Sequence, residues 1–192
     1  ILSRIESGAK VDPSLEAVSV ILPPQQANDS WTQAGGNAAK SYGHLALADN
    51  PTRVWTAQIA GSTNRARLAA APVVADGKLF VMDTEGVVHA LDAKTGGRLW
   101  TKNFSVSGKN ESSIFGGGVS YDGGNLYVTT GLGEVAALKA SDGSQLWSKK
   151  PGGPLRGSPT IGFNSVYVMT QDNQIFALNA ADGNVLWNES AS

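Results

Sequence analysis

The sequence predicts an all-β fold built from four-stranded antiparallel sheets, and three observations support this prediction. An eleven-residue unit recurs without gaps as ALDAKTGGRLW (90–100), ALKASDGSQLW (137–147) and ALNAADGNVLW (177–187). The tryptophans that end these units are 47 and 40 residues apart, a period typical of propeller blades. No stretch after residue 60 has helical periodicity over a useful length. We therefore expect the repeats to be blades of a β-propeller.

Each repeat divides into four short strands that are rich in Val, Ile, Leu and aromatic residues and are bounded by Gly, Asp and Asn turns. In the first repeat the predicted strands are 68–75, 79–83, 87–93 and 98–104. The three blade repeats are predicted to occupy residues 61–104, 105–150 and 151–192.

The residues before the repeats divide into an extension or linker (1–30) and a second segment (31–60). DPSLEAV (12–18) is expected to form one helical turn, with Asp12 as its N-cap. PTRVWTAQI (51–59) has the pattern of a lone outer strand, of the kind that completes the last blade of a propeller. Since three blades cannot close a ring, we expect the chain to be part of a larger propeller.

The repeated tryptophans and glycines are predicted to have structural roles. A large ring at a fixed position can fill the gap between neighbouring blades, and a glycine four residues earlier permits a tight turn between the third and fourth strands. The predicted docking residues are Trp55, Trp100, Trp147 and Trp187, with Gly96, Gly143 and Gly183.

Composition argues against several classes of function. The net charge of −1 gives no bulk reason to expect nucleic acid or an anionic membrane surface as a partner. The absence of cysteine excludes disulfides and thiolate chemistry. No apolar run reaches the roughly 18 residues of a membrane helix. We expect no nucleic-acid partner and no membrane span.

The A-L-x-A-x-x-G-x-x-x-W unit resembles the tryptophan-docking repeat of the pyrroloquinoline-quinone-type propellers. Within that superfamily, WTQAGGNAAKSYGHLAL (31–47), FGGGVSYDGG (115–124) and PGGPLRGSPT (151–160) resemble the N-terminal half of BamB-type outer-membrane assembly lipoproteins. The resemblance implies an eight-bladed, non-enzymatic periplasmic propeller, tethered to the outer membrane by a lipid on an N-terminal cysteine that this chain lacks. The implied partners are the periplasmic domains of the barrel-inserting protein, with unfolded outer-membrane proteins as a second class.

A quinone-dependent dehydrogenase fragment is the main alternative, because such enzymes share the repeat. Those enzymes need a calcium site and a catalytic Asp, whereas the carboxylates of this chain fall almost entirely in turns, where Asp caps its own backbone.

GLGEVA (131–136) joins two strands and so lacks the phosphate-binding geometry of a dinucleotide loop. His89 lies in a strand and is expected to be packed or solvated. We expect no catalytic residues, no metal and no cofactor. A generic periplasmic adhesion or interaction propeller is a third alternative.

Alternating strand directions place the inter-blade loops and the loops between second and third strands on one face, where the loops are longer. Function tends to reside on variable loops held by a rigid scaffold. The predicted partner-binding residues are Leu155, Arg156, Gly157, Arg65 and Arg67. In the BamB-type family the corresponding L-R-G loop contacts the barrel-inserting protein, although here Gly-Gly-Pro precedes it. We expect Leu155 and Arg156 to form an exposed anchor pair; the alternative is that the aliphatic residues plug the channel mouth and the arginines satisfy carbonyls.

Overall fold

The computed structural model describes residues 12–15, 17–62, 70–104 and 116–191. It contains three four-stranded antiparallel sheets, each an up-and-down meander of consecutive strands. Blade 1 comprises β1 (Val73–Ala75), β2 (Lys78–Met82), β3 (Val87–Asp92) and β4 (Arg98–Asn103). Blade 2 comprises β5 (Gly117–Asp122), β6 (Asn125–Thr130), β7 (Val135–Lys139) and β8 (Gln145–Lys149). Blade 3 comprises β9 (Thr160–Gly162), β10 (Ser165–Met169), β11 (Gln174–Asn179) and β12 (Val185–Ser190). The predicted all-β, blade-based fold is confirmed.

The N-terminal segment departs in part from its prediction. Pro13–Leu15 forms a short 3-10 turn, and Asp12 Oδ1 accepts a hydrogen bond from the backbone N–H of Ser14 at 2.9 Å. Residues 51–59, expected to be a lone outer strand, do not form a strand. A strand needs a hydrogen-bonded neighbour, and the described residues offer none to this segment.

The three blades share one irregularity in register. The pairing of the third and fourth strands shifts between Ala90 and Leu91 in blade 1, between Ala137 and Leu138 in blade 2, and between Ala177 and Leu178 in blade 3. Such a shift increases local twist and redirects the side chains of the outer strand. The backbone at the tryptophan of each fourth strand therefore has the same local geometry in all three blades.

Two apolar cores lie between the blades rather than within them. The first joins blade 1 to blade 2 and includes Phe80, Val88, Leu126 and Leu138, all fully buried. The second joins blade 2 to blade 3 and includes Tyr127 and Leu178 among its members. Because each sheet presents one apolar face to each neighbour, burial of these faces stabilises the stack as a unit.

The topology defines two faces, a turn face and a loop face. The turn face carries the connections between first and second strands and between third and fourth strands. The loop face carries the connections between second and third strands and the segments that link blades. These assignments follow from the antiparallel order of all twelve strands.

Candidate functional site: the docked tryptophans and the loop face

Each docked tryptophan reaches across to the next repeat unit. The indole Nε1 of Trp100 donates to the carbonyl of Ala140 at 3.2 Å, and that of Trp147 donates to Ala180 at 2.9 Å. Trp55 makes the equivalent bond to Ala93 at 3.0 Å, although its own segment is not a strand. The equivalence of Trp55 to the repeat tryptophans is thus visible in the hydrogen bonds.

The acceptor alanines are held by their own blades. The N–H of Ala93 donates to Gly77, that of Ala140 to Gly124 and that of Ala180 to Asn164, each in the turn between first and second strands. The N–H of each alanine therefore joins two turns of one blade. The carbonyl of the same alanine accepts the hydrogen bond from the indole of the preceding tryptophan.

The repeat glycines provide the surface on which these rings lie. Gly96, Gly143 and Gly183 have φ of +72°, +75° and +72°, a region that favours glycine. A Cβ at Gly143 would lie 2.7 Å from Trp100 Cε3, and one at Gly183 would lie 2.5 Å from Trp147 Cε3. The glycine thus serves both the tight turn, as predicted, and the close approach of the preceding tryptophan, which was not predicted from the sequence.

Trp187 differs from the other members of the series. Its side chain is 46% exposed, whereas Trp147 is 8% exposed. Its described ring contact is with Tyr167 of its own blade, at a centroid distance of 6.0 Å. Trp187 therefore has the exposure of an undocked ring, whereas its neighbour Leu186 is exposed as Leu99 and Leu146 are in the other two blades.

The expectation that Leu155 is exposed is wrong. Leu155 is fully buried and belongs to the core between blades 2 and 3. Its backbone forms an isolated antiparallel bridge with Thr170, beside the turn that joins β10 to β11. Leu155 is buried because the inter-blade loop folds into the gap between sheets, so it is not available as an interface anchor.

Close backbone contacts hold this inter-blade loop in place. The N–H of Arg156 donates to Met169 at 3.0 Å, and the N–H of Gln171 donates to Pro154 at 2.8 Å. A Cβ at Gly116 would lie 2.5 Å from the carbonyl oxygen of Leu155. The course of the loop is therefore set by blade 2 on one side and by blade 3 on the other.

Arg156 remains exposed on the loop face. One of its guanidinium nitrogens donates to the carbonyl of Gln171 at 2.9 Å, which agrees with the alternative that loop arginines satisfy carbonyls. Gly157 is half-buried, and its carbonyl accepts a 2.7 Å bond from the Thr129 hydroxyl. The structure therefore brings Arg156 and Gly157 together on the loop face. The remaining predicted site residues, Arg65 and Arg67, lie outside the described residues.

Blade 1 contains a buried His–Asp pair that was not predicted from the sequence. His89 Nε2 lies 2.7 Å from Asp83 Oδ2, and both side chains are nearly inaccessible. The other carboxylate oxygen of Asp83 accepts the N–H groups of Glu85 and Val87. In blades 2 and 3 the hydroxyls of Thr130 and Thr170 cap the equivalent turn. The replacement of Thr by Asp was the signal that could have predicted this pair.

The acidic residues in the turns behave as predicted. Asp92 accepts the N–H of Thr95 at 2.8 Å, and Asp142 accepts that of Ser144 at 2.8 Å. The backbone bond from Thr95 is the largest cause that lowers the pKa of Asp92, and the side-chain bond from Ser144 has that role for Asp142. Within the described ranges, no group of three or more His, Asp or Glu side chains could hold a metal ion.

A cavity of about 540 Å³ with both polar and apolar lining opens on the turn face. Its lining combines the N-terminal segment with turns of blade 1 and one aromatic residue of blade 2, and includes Asp29, Ser30, Thr32, Asp76, Lys94 and Tyr121. The hydroxyl of Tyr121 donates to Asp76 and accepts the N–H of Gly124, so the cavity wall is tied to blade 2. Burial is the largest cause that raises the pKa of Tyr121, so this phenol stays protonated and able to donate.

Comparison with known proteins identifies the family. A family model described as outer membrane protein assembly factor BamB matches residues 41–115 and 84–192, which together span most of the chain. The chain belongs to this family. No curated protein matches it in sequence. The described part of the chain also contains no helix long and apolar enough to cross a membrane.

Solved structures similar to this BamB-family chain fall into two functional groups. BamB from Moraxella catarrhalis is 22% identical, with a TM-score of 0.53 over 69% of this chain. Quinohemoprotein alcohol dehydrogenase from Comamonas testosteroni is 24% identical, with a TM-score of 0.64 over 84% of this chain. A europium-containing methanol dehydrogenase is 21% identical, with a TM-score of 0.63 over 83%. At these identities the likeness shows the propeller fold alone.

The chain spans only part of each of these proteins. It covers 39% of the Moraxella BamB chain, 27% of the alcohol dehydrogenase and 31% of the methanol dehydrogenase.

Proposed function

We propose that this chain belongs to a non-enzymatic scaffold that binds the periplasmic domains of the barrel-inserting protein during outer-membrane protein assembly. The observation that carries the proposal is the BamB family match, which spans all three blades. The proposal places the protein in the periplasm, with a lipid anchor at the outer membrane. Unfolded outer-membrane proteins would be a second class of ligand.

The loop face is the proposed contact surface. Arg156 alone is the proposed anchor, because Leu155, the other member of the predicted pair, is buried. Arg156 is exposed, and backbone hydrogen bonds on both sides of the loop hold its main chain. A preorganised loop loses less entropy on binding, and a guanidinium can form forked bonds to a carboxylate. Leu155 packs in the core between blades 2 and 3 and holds the loop in place, so its effect on binding would be indirect.

The test measures affinity of the full-length protein for the periplasmic domains of the barrel-inserting protein. We expect Arg156→Ala to weaken binding by roughly 1–3 kcal/mol, the range of interface anchors. Lys94→Ala is the matched control, because Lys94 is an exposed cation on the turn face, and its affinity should stay within about twofold of wild type. Equal affinities for both variants would remove Arg156 from the interface, whereas no binding by the wild-type protein would contradict the scaffold function itself.

The second candidate function is a quinone-dependent dehydrogenase. It is favoured by the two dehydrogenase structures, which align over a larger share of this chain than BamB does. Titration of the full-length protein with pyrroloquinoline quinone and calcium separates the two proposals. Saturable micromolar binding, or dye reduction with an alcohol or a sugar, would support the enzyme, and a flat titration with retained partner binding would support the scaffold.

We also infer that Trp187 docks in the whole protein on a further repeat of the same type. Trp55, Trp100 and Trp147 each lie on a glycine and donate to an alanine carbonyl, and only Trp187 of this series is nearly half exposed. The eight-bladed ring implied by the family would supply such a repeat.

A further inference from the structure

The inner strand of each blade has one residue, at an equivalent position in all three blades, that faces the N-terminal segment. Val74 pairs with Leu79, Tyr121 pairs with Leu126, and Ile161 pairs with Val166, so each is the second residue before the turn to the next strand. The inner strand of a blade has a free edge, whose N–H and C=O groups need partners.

Three consecutive residues of the N-terminal segment supply these partners, one for each blade. Trp31 exchanges two backbone hydrogen bonds with Val74, at 2.7 and 2.8 Å. The carbonyl of Thr32 accepts the N–H of Tyr121 at 2.7 Å. In blade 3 a side chain replaces the backbone.

The carboxamide of Gln33 pairs with both backbone groups of Ile161. Gln33 Nε2 donates to the Ile161 carbonyl at 2.9 Å, and the Ile161 N–H donates to Gln33 Oε1 at 3.0 Å. Both residues are 2% exposed, so water cannot replace these bonds without opening the site. A primary amide is suited to this position because it carries one donor and one acceptor side by side, as the backbone does.

The segment is itself folded against the residues that follow it. Gln33 and Gly36 exchange backbone hydrogen bonds, which reverse the chain. The Trp31 ring stacks on Tyr42 at a centroid distance of 5.3 Å, and the Tyr42 hydroxyl donates to Ser30 at 3.0 Å. The segment therefore forms a tight turn that presents Trp31, Thr32 and Gln33 in fixed order.

We propose that residues 30–36 form an inner strap that locks the three blades together at their inner strands, and that Gln33 is the residue that holds blade 3. The strap acts at the edge opposite the docked tryptophans, which lie on the outer strands. Blades secured at both edges resist rotation against each other. At the inner edge the strap adds to direct contact between blades 2 and 3, where the Ser120 hydroxyl donates to the Pro159 carbonyl. This inference does not depend on the proposed function.

The test is amide hydrogen exchange in the full-length protein carrying Gln33→Ala. We expect exchange of the Ile161 amide to accelerate by at least about tenfold, while the amides of Val74 and Tyr121, which bond to the strap backbone, keep their protection. Gln145→Ala is the matched control, because Gln145 is exposed on an outer strand, and it should leave all three amides unchanged. Unchanged protection at Ile161 in Gln33→Ala would overturn the proposal, as would equal acceleration in all three blades.

Gln33→Glu provides a second measurement if the alanine variant does not fold. At neutral pH the introduced carboxylate can accept from Ile161 N–H but faces the Ile161 carbonyl without a donor, so the thermal midpoint should fall. Burial raises the folded-state pKa of such a carboxyl above its unfolded value, so the lost stability should return as the pH falls through that raised pKa. A midpoint difference from wild type that stays constant between pH 7 and pH 5 would overturn the role of Gln33.

Discussion

Substitution of Gly143 by alanine tests whether the repeat glycines serve the tryptophans or only the turns. The backbone cost of alanine at φ of +75° is about 1–2 kcal/mol. The new Cβ would also lie 2.7 Å from Trp100 Cε3, so the ring has to move. Its displacement would break the bond from Trp100 to Ala140, worth about 1 kcal/mol, and weaken the ring contact with Phe80, worth about 0.5–1.5 kcal/mol. We expect a total loss of roughly 2.5–4.5 kcal/mol.

Gly123→Ala is the control for the backbone cost. Gly123 has φ of +53°, and an added Cβ would meet nothing within 4 Å. This variant should lose only about 1–2 kcal/mol. The assay is urea unfolding of the full-length protein, followed by far-ultraviolet circular dichroism and analysed as free energies of unfolding.

A double-mutant cycle with Trp100→Phe makes the test sharper. The smaller ring lacks the indole donor, so much of the extra cost of Gly143→Ala should disappear in that background. Equal destabilisation by Gly143→Ala and Gly123→Ala, or additive effects of Gly143→Ala and Trp100→Phe, would refute the idea that the glycine is a surface for the ring.

Two further predictions concern stability. Leu155→Ala should lower the free energy of unfolding by about 2–5 kcal/mol, because it leaves a cavity at a fully buried site. Arg156→Ala should change this free energy by less than about 1 kcal/mol. Similar values for both variants would contradict the burial of Leu155. Asp92→Asn should make stability less dependent on acid pH. Hydrogen bonds from Thr95 hold the pKa of Asp92 below its usual value, so its contribution exists above the unfolded pKa and disappears as the pH falls through the lowered one. Thermal midpoints of wild type and variant between pH 6 and pH 2 check this, and parallel curves would contradict it.

Much of the fold could be predicted because the repeat is local. Within each repeat, strand pairs are joined by short turns whose Gly, Asp and Asn residues are visible in the sequence, so the twelve strands follow from the pattern. The docking role of Trp55 could also be predicted, since it follows from position in the repeat. The strand expected around it could not form among the described residues, because strand structure requires a paired neighbour and not only a suitable sequence.

The candidate site was less predictable, and Leu155 shows why. In sequence, Leu155 and Arg156 are adjacent loop residues with the same Gly and Pro neighbours. The tertiary structure separates them, because the loop crosses the gap between blades 2 and 3 and the Leu155 side chain joins the apolar core there. Leu155 therefore packs in the core while Arg156 remains in solvent.

The sequence by itself determined the repeat unit, the number of blades and the residues that dock them, because these depend on contacts within a repeat or between successive repeats. Only the tertiary structure decided which loop residues are buried and how the inner strands are joined. Gln33 and Ile161 are separated by 128 positions. No local pattern marks such a pair, because a glutamine becomes a backbone partner only where folding places an unpaired N–H and C=O beside it and excludes water.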